Sequence, residues 1–277
     1  MNRAILALLL VPSLAHADEV NPDAVHAAAP APAERKPFYI RAGVALIDPL
    51  STSKEMELAD VDGPASLALH NGPIAGSGAT VDSATVPALI VGYRLPYMHR
   101  RLSIETILGL PFTVTFKATG TLANDSIAPT ALGIPTGVGP LGPDLGEAKA
   151  VPITASLVYR FLDGRIQPYA GGGAAVMFSL DAKATNKMLT EVSQPEMSIA
   201  PAPGLLLQTG VDVQLYKQWY ARLDVKFIAF MQANAEVHHI QVRTPDIPLF
   251  DTVEIGTAKM SVWVNPLIVQ AGIGADF

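Results

Sequence analysis

The chain has 277 residues, no cysteine, and 49% apolar against only 16% charged residues. The lack of cysteine excludes a disulfide framework and any thiolate metal site, and a net charge of −6 argues against nucleic acid as a partner. So little charge is unusual for a soluble protein, yet the long uncharged stretches 166–180 and 261–275 are broken by Gly171-Gly172-Gly173 and by Pro266, Gly272 and Gly274, so neither is a spanning helix.

Residues 1–17 have the three parts of a secretory signal peptide: Arg3, an apolar run over 4–11, and Ala15-His16-Ala17 as the cleavage site. Residues 18–37 are rich in Ala and Pro and read as a disordered leader. From 38 to 277 the chain alternates with the period of two that belongs to β-strands. Residues 38–47 put Phe38, Ile40, Ala42, Val44 and Leu46 on one face and Tyr39, Arg41 and Gly43 on the other. The same pattern recurs over 86–95, 102–110, 151–161, 166–180 and 205–215. Residues 219–231 set Trp219, Ala221, Leu223, Val225, Phe227, Ala229 and Met231 against Tyr220, Arg222, Asp224 and Lys226. The last stretch runs back from Phe277 through Ala275, Ile273, Ala271, Val269 and Leu267, opposite Asp276, Gly274, Gly272, Gln270 and Ile268.

The connections alternate as well. Those at 96–101, 162–164 and 216–218 are short; those at 48–85, 118–150, 181–204 and 232–260 are long. This rhythm, with one oily face per strand, predicts an all-β fold: an eight-stranded antiparallel transmembrane β-barrel with short periplasmic turns and long extracellular loops in the bacterial outer membrane. A β-sandwich predicts no such rhythm. Tyr93, Tyr159, Phe161, Trp219 and Phe277 fall near the short-turn rim, where an aromatic girdle belongs. The terminal strand must pair with 38–47 to close the barrel.

The inward faces carry Arg41, Arg94, Glu105, Arg160, Asp212, Arg222, Asp224 and Lys226. An eight-stranded barrel is just wide enough for side chains to fill, so these charges are expected to pair into a plug; an ion-selective pore is the alternative. The long connections are unusually apolar. Met56, Leu58, Leu67, Leu69 and Ile74 in the first, and Leu122, Ile127, Leu132, Ile134, Val138 and Leu141 in the second, either wall a hydrophobic funnel or pack into a cap. Prolines remove ladder hydrogen bonds, and Pro87, Pro111, Pro152 and Pro203 are candidates for a place where the wall opens sideways. Nothing nominates an enzyme, a cofactor or a metal. His238 and His239 are adjacent and would face opposite ways on a strand, and neither Gly-x-Ser-x-Gly nor His-x-Ser occurs.

A set of short motifs, in order, resembles one family. They are Arg41-Ala42-Gly43-Val44 with Asp48-Pro49, then Gly92-Tyr93, then Glu105 with Pro111-Phe112. Pro152, Gln167-Pro168-Tyr169 with Gly171 and Gly173, Gly210-Val211-Asp212 and the final strand complete it. The chain is similar in these respects to the OmpW (OmpW/AlkL-like) family of outer-membrane barrels. The resemblance implies a narrow eight-stranded barrel that passes small hydrophobic molecules from an outer funnel sideways into the membrane. It also implies that Phe277 is the insertion signal read by the barrel-assembly machinery, with outer-membrane lipid and lipopolysaccharide as surroundings. Where family members often carry Trp at the start of the sixth strand, as part of the funnel floor, this chain has Pro203. Two functions follow as expectations: a passive channel for small hydrophobic molecules, or a structural or host-contact barrel acting through its loops.

Overall fold

The computed structural model describes residues 35–277; the predicted signal peptide (1–17) and most of the predicted leader (18–37) lie outside the described residues. Eight strands make the barrel: β1 (Phe38–Pro49), β2 (Ala84–Arg94), β3 (Leu102–Gly109), β4 (Asp144–Arg160), β5 (Ile166–Ala184), β6 (Ala202–Tyr216), β7 (Trp219–Ala229) and β8 (Pro266–Asp276). Each pairs antiparallel with the next. β8 returns to β1 in register from Tyr39↔Asp276 to Pro49↔Pro266. Phe38 and Phe277 exchange backbone hydrogen bonds at the end of that seam (2.8 and 3.2 Å). Closure leaves the barrel without an exposed edge, as a bilayer demands.

In the lower barrel the alternation predicts the faces correctly. Phe38, Ile40, Val44, Leu46, Ile104, Leu108, Ile153, Leu157, Leu205, Leu207, Leu223 and Ile273 are exposed on the outer wall, the face that meets lipid in a membrane barrel. Phe38 stacks on Tyr93 and Tyr159 on Phe161 near the periplasmic rim. β5 continues through the Gly171-Gly172-Gly173 run in register with both neighbours.

The long connections differ from expectation. A tilted barrel strand needs about 9–11 residues to cross a bilayer, but β4 has 17 and β5 has 19. Strands Ser77–Val81, Phe112–Gly120, Glu196–Ile199, Gln232–His238 and Thr257–Trp263 continue the wall beside them, so much of what reads as loop is a β-structured extension. Its alternation is inverted. Lys117, Lys149, Lys183 and Lys259 point outward, each next to an inward, buried alanine: Ala118, Ala148, Ala184 and Ala258. Surface pairs Lys117–Asp82, Lys149–Asp181 and Lys183–Glu147 decorate the outer face. Water replaces lipid outside this part, so the polar residues move out and the apolar ones in.

The change of face has local causes. At Phe230 the backbone turns to φ 60° and shifts the parity of the chain. Met231, which the alternation places toward lipid with Phe227 and Ala229, is therefore buried inside. β3 makes the same shift at Leu110-Pro111, and β5 at Asp181 (φ 49°), where its register with β4 slips.

Candidate functional site

The lower lumen is filled by one ion-paired network. Five basic side chains (Arg41, Arg94, Arg160, Arg222, Lys226) and four acidic ones (Glu105, Asp212, Asp224, Asp276) are buried there. Arg222 grips Asp212 in a fork, Nε to Oδ1 and Nη2 to Oδ2 at 2.8 Å each, and reaches Glu105 at 3.1 Å. Arg160 bridges the same two carboxylates at 3.1 and 3.4 Å. Below them Asp276 accepts from Arg41 at 2.7 Å and from Arg94 at 2.8 Å. Lys226 pairs with Asp224 on the same strand. Two tyrosines bind the guanidinium groups together. The Tyr39 ring lies 4.6 Å from Arg94 and 4.7 Å from Arg160, and its hydroxyl donates to Glu105; Arg222 sits 4.8 Å from Tyr169. Glycine makes room for both rings: a Cβ on Gly92 would lie 2.0 Å from Tyr39, and one on Gly210 would lie 2.5 Å from Tyr169. This is a floor, because wall-to-wall paired charges leave no hydrophobic path downward.

Above the floor the interior is apolar. One buried cluster runs from Leu206, Ala175 and Ile228 in the barrel up through Phe116, Ala148, Met260 and Val262 to Leu122 and Leu145. A second cluster, around Leu58, Leu69, Ile240, Val242 and Ile255, fills the tips. The two meet at Met56, Ile127 and Leu141. Among the described residues, cavities open at three levels of this interior. The outermost, about 390 Å³, is walled by the first, second and fourth long connections, including Leu67, Leu69, Ile127, Leu132, Ile134, Val138, Val242 and Phe250. The middle one is about 50 Å³ and is lined by Met56, Leu58, Leu122, Leu141, Met197 and Met260. The third, about 90 Å³, sits over the floor among Ala88, Ile107, Thr154, Ile228, Ile268 and Gln270. A cavity of about 150 Å³ already holds benzene, so the outermost has room for a small hydrocarbon.

The third cavity reaches the barrel wall between β2 and β3. The β2–β3 ladder stops at Ala88↔Gly109 and resumes above at Val81↔Phe116, in the same register. The Asp82 N–H, donating to the Thr115 carbonyl, is its nearest upper rung. Between these points 83–87 and 110–114 make no ladder pairs with each other, although β2 stays paired with β1 as far as Ala84↔Ile47. Continuing the register would set Pro87 opposite Leu110 and Val86 opposite Pro111. Neither proline has an N–H to give, so the ladder cannot be completed through them. Pro152 stands behind this gap: a Cβ on Gly109 would meet its ring at 3.2 Å. The edges are oily, with Val86, Pro87, Leu110 and Phe112 all bordering the cavity.

The sequence model of the OmpW family matches residues 36–277. The chain belongs to the OmpW family. It is therefore a β-barrel of the bacterial outer membrane, embedded in lipid, and not an enzyme. The crystal structure of the outer membrane protein OprG from Pseudomonas aeruginosa is similar over 88% of this chain and 97% of that one, with a TM-score of 0.64 and 21% identity. The solid-state NMR structure of the outer membrane protein AlkL in DMPC bilayers covers 96% of this chain and 97% of its own, with a TM-score of 0.49 and 16% identity. No curated protein sequence matches the chain.

Within this OmpW-family barrel the eight predicted lumen charges all lie in the floor. Of the loop residues, Leu67, Leu69, Ile127, Leu132, Ile134 and Val138 border the outer cavity, while Met56, Leu58, Leu122 and Leu141 border the middle one. Ile74 packs at the edge of the tip cluster. Pro87, Pro111 and Pro152 gather at the side gap. Pro203 does not: it sits exposed on β6, paired opposite Val176, and the inward residue beside it is Ala202. His238 and His239 part company, one beside Thr257 and the other beside Glu254. Reading the strands alone misses Asp276, which anchors Arg41 and Arg94; its signal was a carboxylate on the wet face of the terminal strand.

The periplasmic end is held separately. Arg35, in the predicted leader, reaches the β4–β5 turn, with Nη2 2.6 Å from the Leu162 carbonyl and 2.9 Å from Asp163. Arg94 donates to the Lys36 carbonyl at 2.9 Å. Asp163 also takes Arg101 from the β2–β3 turn. The hydrogen bond from Arg101, with Arg35 adding charge, holds the Asp163 carboxyl below the usual carboxylate range.

Proposed function

We propose that this OmpW-family barrel is a passive channel for small hydrophobic molecules, which enter through the apolar tip and leave sideways into the membrane between β2 and β3. The observation that carries the reading is the oily gap in the wall above a closed, charged floor. A greasy solute over that floor meets ion pairs below and lipid to the side. Each methylene moved from water into hydrocarbon is worth about 0.8 kcal/mol, so the sideways route needs no energy source. Methionines support passage through the narrow middle: Met56, Met197 and Met260 line the smallest cavity, and their unbranched chains adapt to a moving guest. On this reading Leu132 and Leu249, 77% and 80% exposed at the tip, are the first surfaces the cargo meets. Lipopolysaccharide surrounds the outer face of the extension, and Phe277 is read by the barrel-assembly machinery.

The test is uptake of n-octane by cells whose outer membrane contains the barrel, against cells that lack it. The channel reading expects faster uptake with the barrel present. Equal uptake would overturn it and leave a structural or surface-contact barrel, whose activity would depend on the tips alone.

A further inference from the structure

The floor is not finished at its upper surface. Gln270, on β8, is 1% exposed and borders the cavity behind the side gap, and its Oε1 has no hydrogen-bond partner among the described residues. In the ladder it stands opposite Asp224, whose Oδ1 is also unpartnered. One strand further, Gln208 stands opposite Lys226; its Nε2 donates downward to Glu105 at 3.2 Å while its Oε1 has no partner. Three buried acceptor oxygens therefore gather on β6, β7 and β8 where the lumen changes from ion-paired to apolar. Buried acceptors are seldom left unmade, since each forfeits the hydrogen bond it had in water.

We propose that Gln270, backed by Asp224 and Gln208, receives the hydroxyl group of an amphiphilic guest whose hydrocarbon tail lies in the cavity and the side gap. The chemistry selects the headgroup. Acceptor oxygens need a donor, which a carboxylate does not supply and an alkane lacks. A cationic headgroup would meet Lys226 and a lumen in which five basic groups face four acidic ones. A neutral hydroxyl satisfies both conditions. The inference deepens the channel reading by naming the class of molecule its inner chamber prefers: neutral, mono-hydroxylated amphiphiles over bare hydrocarbons and fatty acids.

The experiment is equilibrium binding to the full barrel in lipid nanodiscs, followed by NMR of the glutamine side-chain amides, with 1-octanol, n-octane and octanoate as probes. The expected result is saturable binding of 1-octanol that moves the Gln270 amide signal, about tenfold tighter than n-octane of the same chain length, as one hydrogen bond allows. Octanoate binds more weakly than the alcohol. Gln270→Leu removes the alcohol's advantage and leaves n-octane binding in place; Gln270→Glu, which keeps the acceptor, retains it. Equal affinity of the unaltered protein for 1-octanol and n-octane would overturn the proposal, and that comparison requires no variant to fold. So would a Gln270→Leu protein that loses both ligands in proportion. Binding is read without transport, so alcohol selectivity without uptake would fail the channel and spare the site, and uptake without selectivity would do the reverse.

Discussion

Replacing Arg222 by methionine separates two views of the lumen. By formal count the change is an improvement, because five basic groups against four acidic ones become four against four. By geometry it is a loss. Arg222 makes five hydrogen bonds, to both oxygens of Glu105 and both of Asp212, and joins the β3 side of the floor to the β6 side. Removing one partner from a buried pair typically costs about 3–5 kcal/mol, since the other charge stays buried without its counterion. Arg160 still reaches both carboxylates, at 3.1 and 3.4 Å, which places the loss at the lower end, about 3 kcal/mol. With a urea dependence of about 2 kcal/mol per molar, the unfolding midpoint should fall by roughly 1.5 M. The assay is reversible urea unfolding in phospholipid vesicles, followed by the fluorescence of Trp219 and Trp263. Adding Glu105→Gln should cost less than the sum of the two single changes, because the carboxylate no longer needs its partner. An Arg222→Met midpoint equal to or above that of the unaltered protein would refute the paired floor.

Three further outcomes are expected. Deleting Phe277 should reduce the amount of folded barrel in the outer membrane, measured by its heat-modifiable gel migration, while the protein that does insert transports normally; undiminished assembly would contradict the seam's role. Asp163→Asn should lower the melting temperature slightly at pH 7, because the folded-state pKa of Asp163 is depressed by Arg101 and Arg35. That stabilisation is present above the unfolded carboxylate pKa of about 3.9 and disappears as pH falls through the lower folded value, so the two proteins should converge in strong acid; a gap constant with pH would exclude the pair as its cause. Restoring two backbone donors with Pro87→Ala and Pro111→Ala lets the β2–β3 ladder close, and n-octane uptake should drop several-fold without loss of stability.

Much of the barrel was legible because lipid imposes a strict rule. In the lower wall a residue faces either hydrocarbon or a packed polar lumen, so Phe38, Ile40 and Leu46 alternate with Tyr39 and Arg41 without ambiguity. Above the bilayer that rule reverses, and the same period of two is carried by alanines beside lysines rather than by large apolar side chains. A Lys–Ala alternation has little hydrophobic contrast, so the extension reads as loop although it forms strands. The points of reversal are also hard to read. Phe230 and Asp181 adopt positive φ without being glycine, and nothing in their local sequence demands it. The loop residues that border the cavities could be named from their oiliness alone, but not the sharing between outer and middle cavities, which depends on how distant connections converge. Prolines marked the side gap at Pro87, Pro111 and Pro152, yet gave the same signal at Pro203, where the strand pairs normally. The register, not the proline, shows where the ladder is interrupted.

The most direct test of sideways release is to close the gap reversibly. The chain has no cysteine, so Thr85→Cys and Thr113→Cys on the two facing edges would be its only thiols, and both positions are exposed on the outer surface of the wall. Linking them with a disulfide-containing bismaleimide should reduce n-octane uptake to the level of cells without the barrel, and cleaving the linker should restore it. Uptake that continues unchanged with the edges linked would show that the cargo leaves by another route.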